Sequence, residues 1–297
     1  MGSMCHACYA AAEAVDHPPE TQRHRWMPRR AFLRAAGAAA AGAALAAPVR
    51  AQVQVDEASR LRNLVPAGEL EAAAGQQYSQ MIAQARQQGA LAPDSHPQLQ
   101  RLRTIAQHLV PHCERWNDRA RSWRWEINLI GSKQINAFCM PGGKIAFFTG
   151  ILQQLELSDD ETAMVMGHEM AHALREHARA RIAKSQGTSI GLSVLSQVLG
   201  LGQLGSIAAD VGTQLLTLRF SRDDEIDADL VGLELAARGA YRPQSAVSLW
   251  EKMGRAAGNN ASPGFLSTHP RGPERIARLQ ENIPRVQGLF EQASGRR

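Results

Sequence analysis

The segment Ser158-Asp159-Asp160-Glu161-Thr162-Ala163-Met164-Val165-Met166-Gly167-His168-Glu169-Met170-Ala171-His172 decides the fold. Ser158, followed three residues later by Glu161, spells a capping box: the serine oxygen takes the Glu161 amide and the Glu161 carboxylate reaches back to the Ser158 amide. Asp159, Asp160 and Glu161 also suit the positive end of a helix dipole. The spacing predicts a helix from Asp159 to about Ala183, with Gly187 just beyond its end. On such a helix His168 and His172 are rotated by only about 40° and offset by a rise of about 6 Å, so both imidazoles reach one tetrahedral metal. Glu169 is turned about 100° from His168, close enough to act on a water at that metal without being a ligand.

A hydrolytic metal site needs a third protein ligand and one open position. His177 is a poor candidate: it follows His172 by five residues with no glycine between, and a continuing helix carries it about 140° away, so it reads as a surface histidine. Glu225 is a better one, within Ser221-Arg222-Asp223-Asp224-Glu225-Ile226-Asp227-Ala228-Asp229. Capping by Ser221 and an acidic first turn account for Asp223 and Asp224. They do not account for Glu225 and Asp229 at i, i+4 on a face with Ala228 and Gly232. One of these carboxylates can ligate a metal while the other accepts the second ring N–H of a liganding histidine. His269 stands before Pro270 in a Gly/Asn/Ser/Pro-rich loop. Three roles are open to it: a fourth ligand that holds the site latent, a hydrogen-bond donor to a tetrahedral intermediate, or a pin for its own loop. Arg275 reads as a structural ion pair with an acidic neighbour. His108 and His112 are also i, i+4, but Pro111 interrupts their helix and no carboxylate stands between them.

Around this centre the pattern alternates between helix and strand periods. Glu69–Gln87 carries Leu70, Ala73, Tyr78, Met81 and Ile82 at helical spacing, and Asp94 or Ser95 can cap a second helix running to Leu109. Trp123–Ile130 switches to strand alternation, Ile135–Met140 reads as a second strand, and Lys144–Phe148 as a third after the Pro141-Gly142-Gly143 turn. These predict a small antiparallel sheet. Gly187–Leu218 has Asp210 as its one formal charge and recurrent Gly and Ser, the pattern of a buried helical hairpin or active-site cover. Further helices are expected over Arg222–Ala237, Pro243–Met253 and Pro273–Gln280.

The chain has 297 residues, 44% of them apolar and 21% charged, enough to build a core and too few charges for a disordered chain. Its net charge of +5 suggests an anionic partner until the N-terminus is read. Met27-Pro28-Arg29-Arg30-Ala31-Phe32-Leu33-Arg34 precedes an uncharged Ala/Gly-rich run from Ala35 to Ala47, and Val49-Arg50-Ala51 supplies small residues for a peptidase. This is the layout of an export signal, with paired arginines of the twin-arginine type, cleaved after Ala51. Residues 1–26 read as an upstream extension, and Cys5-His6-Ala7-Cys8 as half a zinc motif with no second half nearby. The expected organisation is therefore 1–51 as extension and signal and 52–297 as one domain. Residues 1–51 hold six of the Lys/Arg and three of the Asp/Glu, so the remainder is near neutral and a nucleic-acid partner is excluded. Cys113 and Cys139 remain, and the sequence leaves their pairing open.

Taken in order, Asn136-Ala137-Phe138, Pro141-Gly142-Gly143, Thr149-Gly150, His168–His172, Glu225 with Ala228-Asp229, and Thr268-His269-Pro270 with Arg275-Ile276 resemble one family. It is that of the HtpX-like and CAAX-prenyl-protease metallopeptidases, which are gluzincins. The likeness runs over about residues 95–285 and is strongest to the soluble, exported bacterial branch and the mitochondrial inner-membrane relatives. The sequence departs from the membrane-embedded branch in its transmembrane helices, and from some exported relatives in the helical-repeat domain after Phe290. The resemblance implies one Zn2+ on His168, His172 and Glu225, Glu169 as general base, and Asp229 as the carboxylate behind a liganding histidine. It also implies a mostly helical α+β domain of the zincin type with an HExxH helix, and a role in protein quality control. The expected function is then zinc-dependent cleavage of unfolded or flexible polypeptides, in the periplasm, either free or peripheral to a membrane. Lys144, Ile145, Ala146 and Phe147 are the expected edge for an extended substrate. The competing reading is a catalytically silent zinc protein acting as a chaperone-like binder or assembly factor.

Overall fold

The computed structural model describes residues 53–185, 215, 218–258, 264–270 and 272–295. The expected export signal, nearly all of Gly187–Leu218 and part of the loop before His269 lie outside the described residues.

Helix α1 spans Ala67–Gln87 and α2 spans Pro97–Leu109. The cap of α2 is His96, whose Nδ1 accepts the Gln98 amide, rather than Asp94 or Ser95, because Pro97 already supplies the first helical position. Three strands follow: β1, Glu126–Ile130; β2, Ala137–Met140; and β3, Lys144–Phe148. Gly142 and Gly143 both take positive φ and close the β2–β3 hairpin, where a Cβ on Gly143 would lie 2.8 Å from the Trp125 ring. The sheet is mixed, and the expected all-antiparallel arrangement is corrected. Its order is β1-β3-β2, with β2 antiparallel and β1 parallel to β3. Side-chain alternation reports a buried face and is blind to strand direction. The chain between β1 and β2 leaves a gap into which β3 inserts. As a result β3 is the central strand, with Ile145, Ala146 and Phe147 fully buried. Lys144, Ile145, Ala146 and Phe147 are therefore no edge for a substrate; the edge next to the metal centre is β2.

After the short α3, Thr149–Gln154, the HExxH helix α4 spans Asp159–Leu174 with both hydrogen bonds of the capping box in place. Every residue from Glu161 to Leu174 is buried. A helix covered on all sides needs no polar stripe, and α4 is accordingly apolar almost all round. It stops nine residues short of the expected end: Glu176 adopts φ 57°, and α5 restarts at His177 and runs to Ser185. Helix α6, Arg222–Arg238, begins with the Ser221 cap and crosses α4. Helices α7, Ser245–Gly258, the one-turn α8, Phe265–Thr268, and α9, Pro273–Ser294, complete the described fold. Helix α9 continues through Pro284, beyond the expected Gln280. Cys113 and Cys139 are both free thiols. Among the described residues no helix is long and apolar enough to cross a membrane.

The architecture is thus a mostly helical α+β domain around a buried HExxH helix, as the sequence predicts.

Candidate metal centre

The site rests on the α4–α6 crossing. A Cβ on Gly232 would lie 2.6 Å from the His168 amide nitrogen, and one on Gly167 would lie 2.8 Å from the Gly232 carbonyl oxygen. Two glycines facing each other let the backbones approach closely enough for α6 side chains to reach the imidazoles of α4. Glu225 and Asp229, one turn apart, both point into the crossing and are buried.

His168 Nε2 and His172 Nε2 stand 3.2 Å apart. Glu225 Oε1 lies 3.5 Å from His172 Nε2, and Oε2 lies 3.6 Å from His168 Nε2. His269, at the end of α8, is buried as well, with Nδ1 3.2 Å from His168 Nε2 and 3.0 Å from Glu225 Oε1. All four ligand atoms fall within 4.8 Å of one another. Zinc bonds of about 2.0–2.1 Å in a tetrahedron set its corners roughly 3.3 Å apart, so the separations of 3.0 to 3.6 Å are close to the edges of a zinc coordination sphere. Charge gives the same answer. Buried Glu169, Glu225 and Asp229 confront one buried guanidinium, Arg275, and a divalent cation neutralises the excess. The residues present fit one zinc ion.

The surroundings fix each group. His168 Nδ1 donates to Asp229 Oδ1 at 3.0 Å, and Asp229 is itself gripped by Arg275 through Nε at 2.6 Å and Nη2 at 2.8 Å. Burial pushes the Asp229 carboxyl up, but Arg275 outweighs it and holds Asp229 below the usual carboxylate range. Arg275 Nη1 also pairs with Glu225 Oε2 at 2.6 Å, and its guanidinium lies 3.8 Å over the Trp250 ring. The expected ion pair of Arg275 is thus present and supports two carboxylates at once. Burial, then the neighbouring His168 and His177, hold the His172 pKa well below its ordinary value, which favours the neutral ring a ligand requires. Phe220 stacks on His172 with centroids 3.9 Å apart. For His269 burial lowers the pKa, yet the Glu169 and Glu225 carboxylates outweigh it and raise it.

Glu169 lies beside the four donors with Oε1 free of any hydrogen bond, facing His269 Nε2 at 3.4 Å. Burial pushes its carboxyl above the ordinary range, with Glu225 adding to the rise, while His269, His168 and the Cys139 amide pull the other way. The Cys139 amide comes from β2, so the outer edge of that strand faces the centre. A cleft opens here between Asn136–Pro141, Glu169, His172, Phe220 and His269.

His177 is the residue the sequence places wrongly. It is buried, with Nδ1 3.0 Å from His172 Nδ1 and Nε2 2.9 Å from Asp227 Oδ2. The cause is the break at Glu176, which turns His177 back towards His172; no Gly or Pro announces that break in Leu174-Arg175-Glu176-His177. The structure brings together His168, Glu169, His172, Glu225, Asp229 and His269, and leaves Ile145, Ala146 and Phe147 buried in the central strand with half-buried Lys144 at its start.

The profile of peptidase family M48 matches residues 96–283. The mitochondrial metalloendopeptidase OMA1 of Arabidopsis thaliana is 38% identical over 160 residues, covering 54% of this chain and 32% of the relative. That of Saccharomyces cerevisiae is 32% identical over 177 residues, covering 57% and 50%. The β-barrel assembly-enhancing protease of Escherichia coli is 25% identical over 177 residues, covering 56% and 36%. The chain spans between about a third and a half of the length of the curated relatives it matches. The expected periplasmic location is corrected by these likenesses, since the OMA1 relatives bear names that place them in mitochondria. The match extends over the whole of α2 to α7, the HExxH helix and the Glu225 helix included, and the chain belongs to peptidase family M48.

Proposed function

We propose that this chain cleaves peptide bonds within unfolded or flexible polypeptides, with one zinc held by His168, His172 and Glu225. The observation that supports it most is the set of donor atoms within 4.8 Å of one another beside a buried carboxylate with a free oxygen. Zinc, when bound, supplies Lewis-acid polarisation of a carbonyl and lowers the pKa of a bound water towards about 7. Glu169 takes a proton from the attacking water at Oε1 and returns it to the leaving amine, and its raised pKa brings it nearer to the value suited to both transfers. Asp229 keeps the His168 tautomer that leaves Nε2 free to ligate. The outer edge of β2 pairs with the main chain of an extended substrate, which reads little side-chain identity and needs a segment free of its own structure.

The purified chain should cleave casein, lose that activity to a zinc chelator and regain it with added zinc; cleavage unaffected by chelation contradicts the proposal. Within the family, the finer affinity to the HtpX-like and CAAX-prenyl-protease gluzincins rests on the motif series from Asn136 to Ile276. A quality-control role fits cleavage that ignores side-chain identity. We further propose residues 52–297 as the working unit, with residues 1–51 a targeting segment removed from it.

His269 Nδ1 lies 3.2 Å from His168 Nε2 and 3.0 Å from Glu225 Oε1, where it would compete with a water for a bound zinc. We propose that it is a latch, displaced when substrate enters. His269→Ala should then raise casein cleavage several-fold, with zinc still bound. A large loss of kcat would assign it instead to the transition state, and an unchanged rate would leave it a pin for its loop.

A further inference from the structure

The two histidines of the HExxH helix are held from behind by different chemistry. His168 donates to a carboxylate, Asp229, whereas the atom facing His172 Nδ1 is another imidazole nitrogen, His177 Nδ1, at 3.0 Å. A hydrogen bond between two ring nitrogens contains one proton, so only one of them carries it. His172 turns Nε2 towards His168 and Glu225, which leaves its proton on Nδ1. His177 Nδ1 must then be the acceptor, and the His177 proton must sit on Nε2, where Asp227 Oδ2 receives it at 2.9 Å. Asp227 Oδ2 is fixed in turn by Arg175 Nε at 2.6 Å, and Arg175 also bonds the Asp56 carbonyl of the N-terminal segment. Asp227 and Asp229 are two positions apart on α6, roughly 200° around the helix, so one helix serves both imidazoles from opposite sides.

From this geometry we infer that His177 is a positioning residue for the metal centre: with Asp227 and Arg175 behind it, it fixes the tautomer and ring orientation of His172. The inference rests on His172 being a zinc ligand. It assigns a role to a histidine that touches neither the metal donors' open side nor the substrate cleft. It also makes the two ligands unequal in what backs them, a carboxylate behind His168 and an imidazole behind His172.

Three measurements test it. In the native protein, histidine 15N shifts should show His172 protonated on Nδ1 and His177 protonated on Nε2 alone; a His177 proton on Nδ1 overturns the inference without any variant. His177→Leu should weaken zinc affinity about 10–100-fold in chelator competition. His177→Asn, whose side-chain oxygen can stand near the Nδ1 position, should recover most of that affinity. Leu and Asn variants that bind zinc equally, or both as tightly as the native chain, overturn it. A native chain that binds no zinc defeats the parent reading instead, so the two failures are distinguishable.

Discussion

Glu169→Gln should reduce kcat for casein cleavage by about 10²–10⁴-fold while leaving the zinc content and the melting temperature near native. Glutamine keeps the shape and can still accept the Cys139 amide, but it offers no basic oxygen at the position of Oε1. Glu169 is not among the four donors, so metal binding should survive its replacement. Loss of zinc together with activity would mean that Glu169 is a ligand. Retained activity would mean that another group moves the proton, and an inactive native chain with bound zinc would favour the chaperone-like alternative.

The second large effect concerns a residue with no functional group. In Gly232→Ala the new Cβ would meet the His168 amide nitrogen at 2.6 Å and the Gly167 carbonyl carbon at 2.8 Å. Both are backbone atoms of a buried helix and have no rotamer to yield, so the cost falls at the upper end of overpacking, about 3 kcal/mol. For a domain of this size that corresponds to a fall of roughly 6–12 °C in melting temperature. Zinc affinity should drop as well, because prising α6 from α4 withdraws Glu225 from His168 and His172. Calorimetry of the zinc-loaded and zinc-free variant reads both effects. A shift of less than about 2 °C would show that the crossing tolerates a methyl group and that the two glycines are not what sets the distance.

The parts of the site that the sequence discloses are those governed by one helix at a time. The i, i+4 spacing of His168 and His172, and that of Glu225 and Asp229, is a property of local helix geometry, and so is the capping box at Ser158 and Glu161. The close approach of α4 and α6 is legible only in outline, through the small residues on the Glu225 face; that Gly232 meets Gly167 follows from tertiary packing. The sheet escapes for a similar reason. Alternation in Lys144–Phe148 records a buried face, and burial on both flanks looks the same as burial on one. Placing β3 in the centre leaves β2 as the edge strand beside the metal centre, with its Cys139 amide at Glu169. His177 escapes because a single residue, Glu176 at φ 57°, breaks a helix whose sequence reads as continuous. The periplasmic location rested on the N-terminal segment and on the resemblance to an exported bacterial branch, and likeness to relatives named as mitochondrial overturns it.

Everything turns on whether one zinc joins α4 to the carboxylate of α6. Metal content by plasma mass spectrometry, on the native chain and on Glu225→Ala under the same chelator, measures that junction. The native chain should hold one zinc, and Glu225→Ala should lose it with an affinity reduced by more than ~100-fold, beyond what outer hydrogen-bond partners contribute. A native chain without zinc, or a Glu225→Ala chain that keeps it at native affinity, would contradict the assignment.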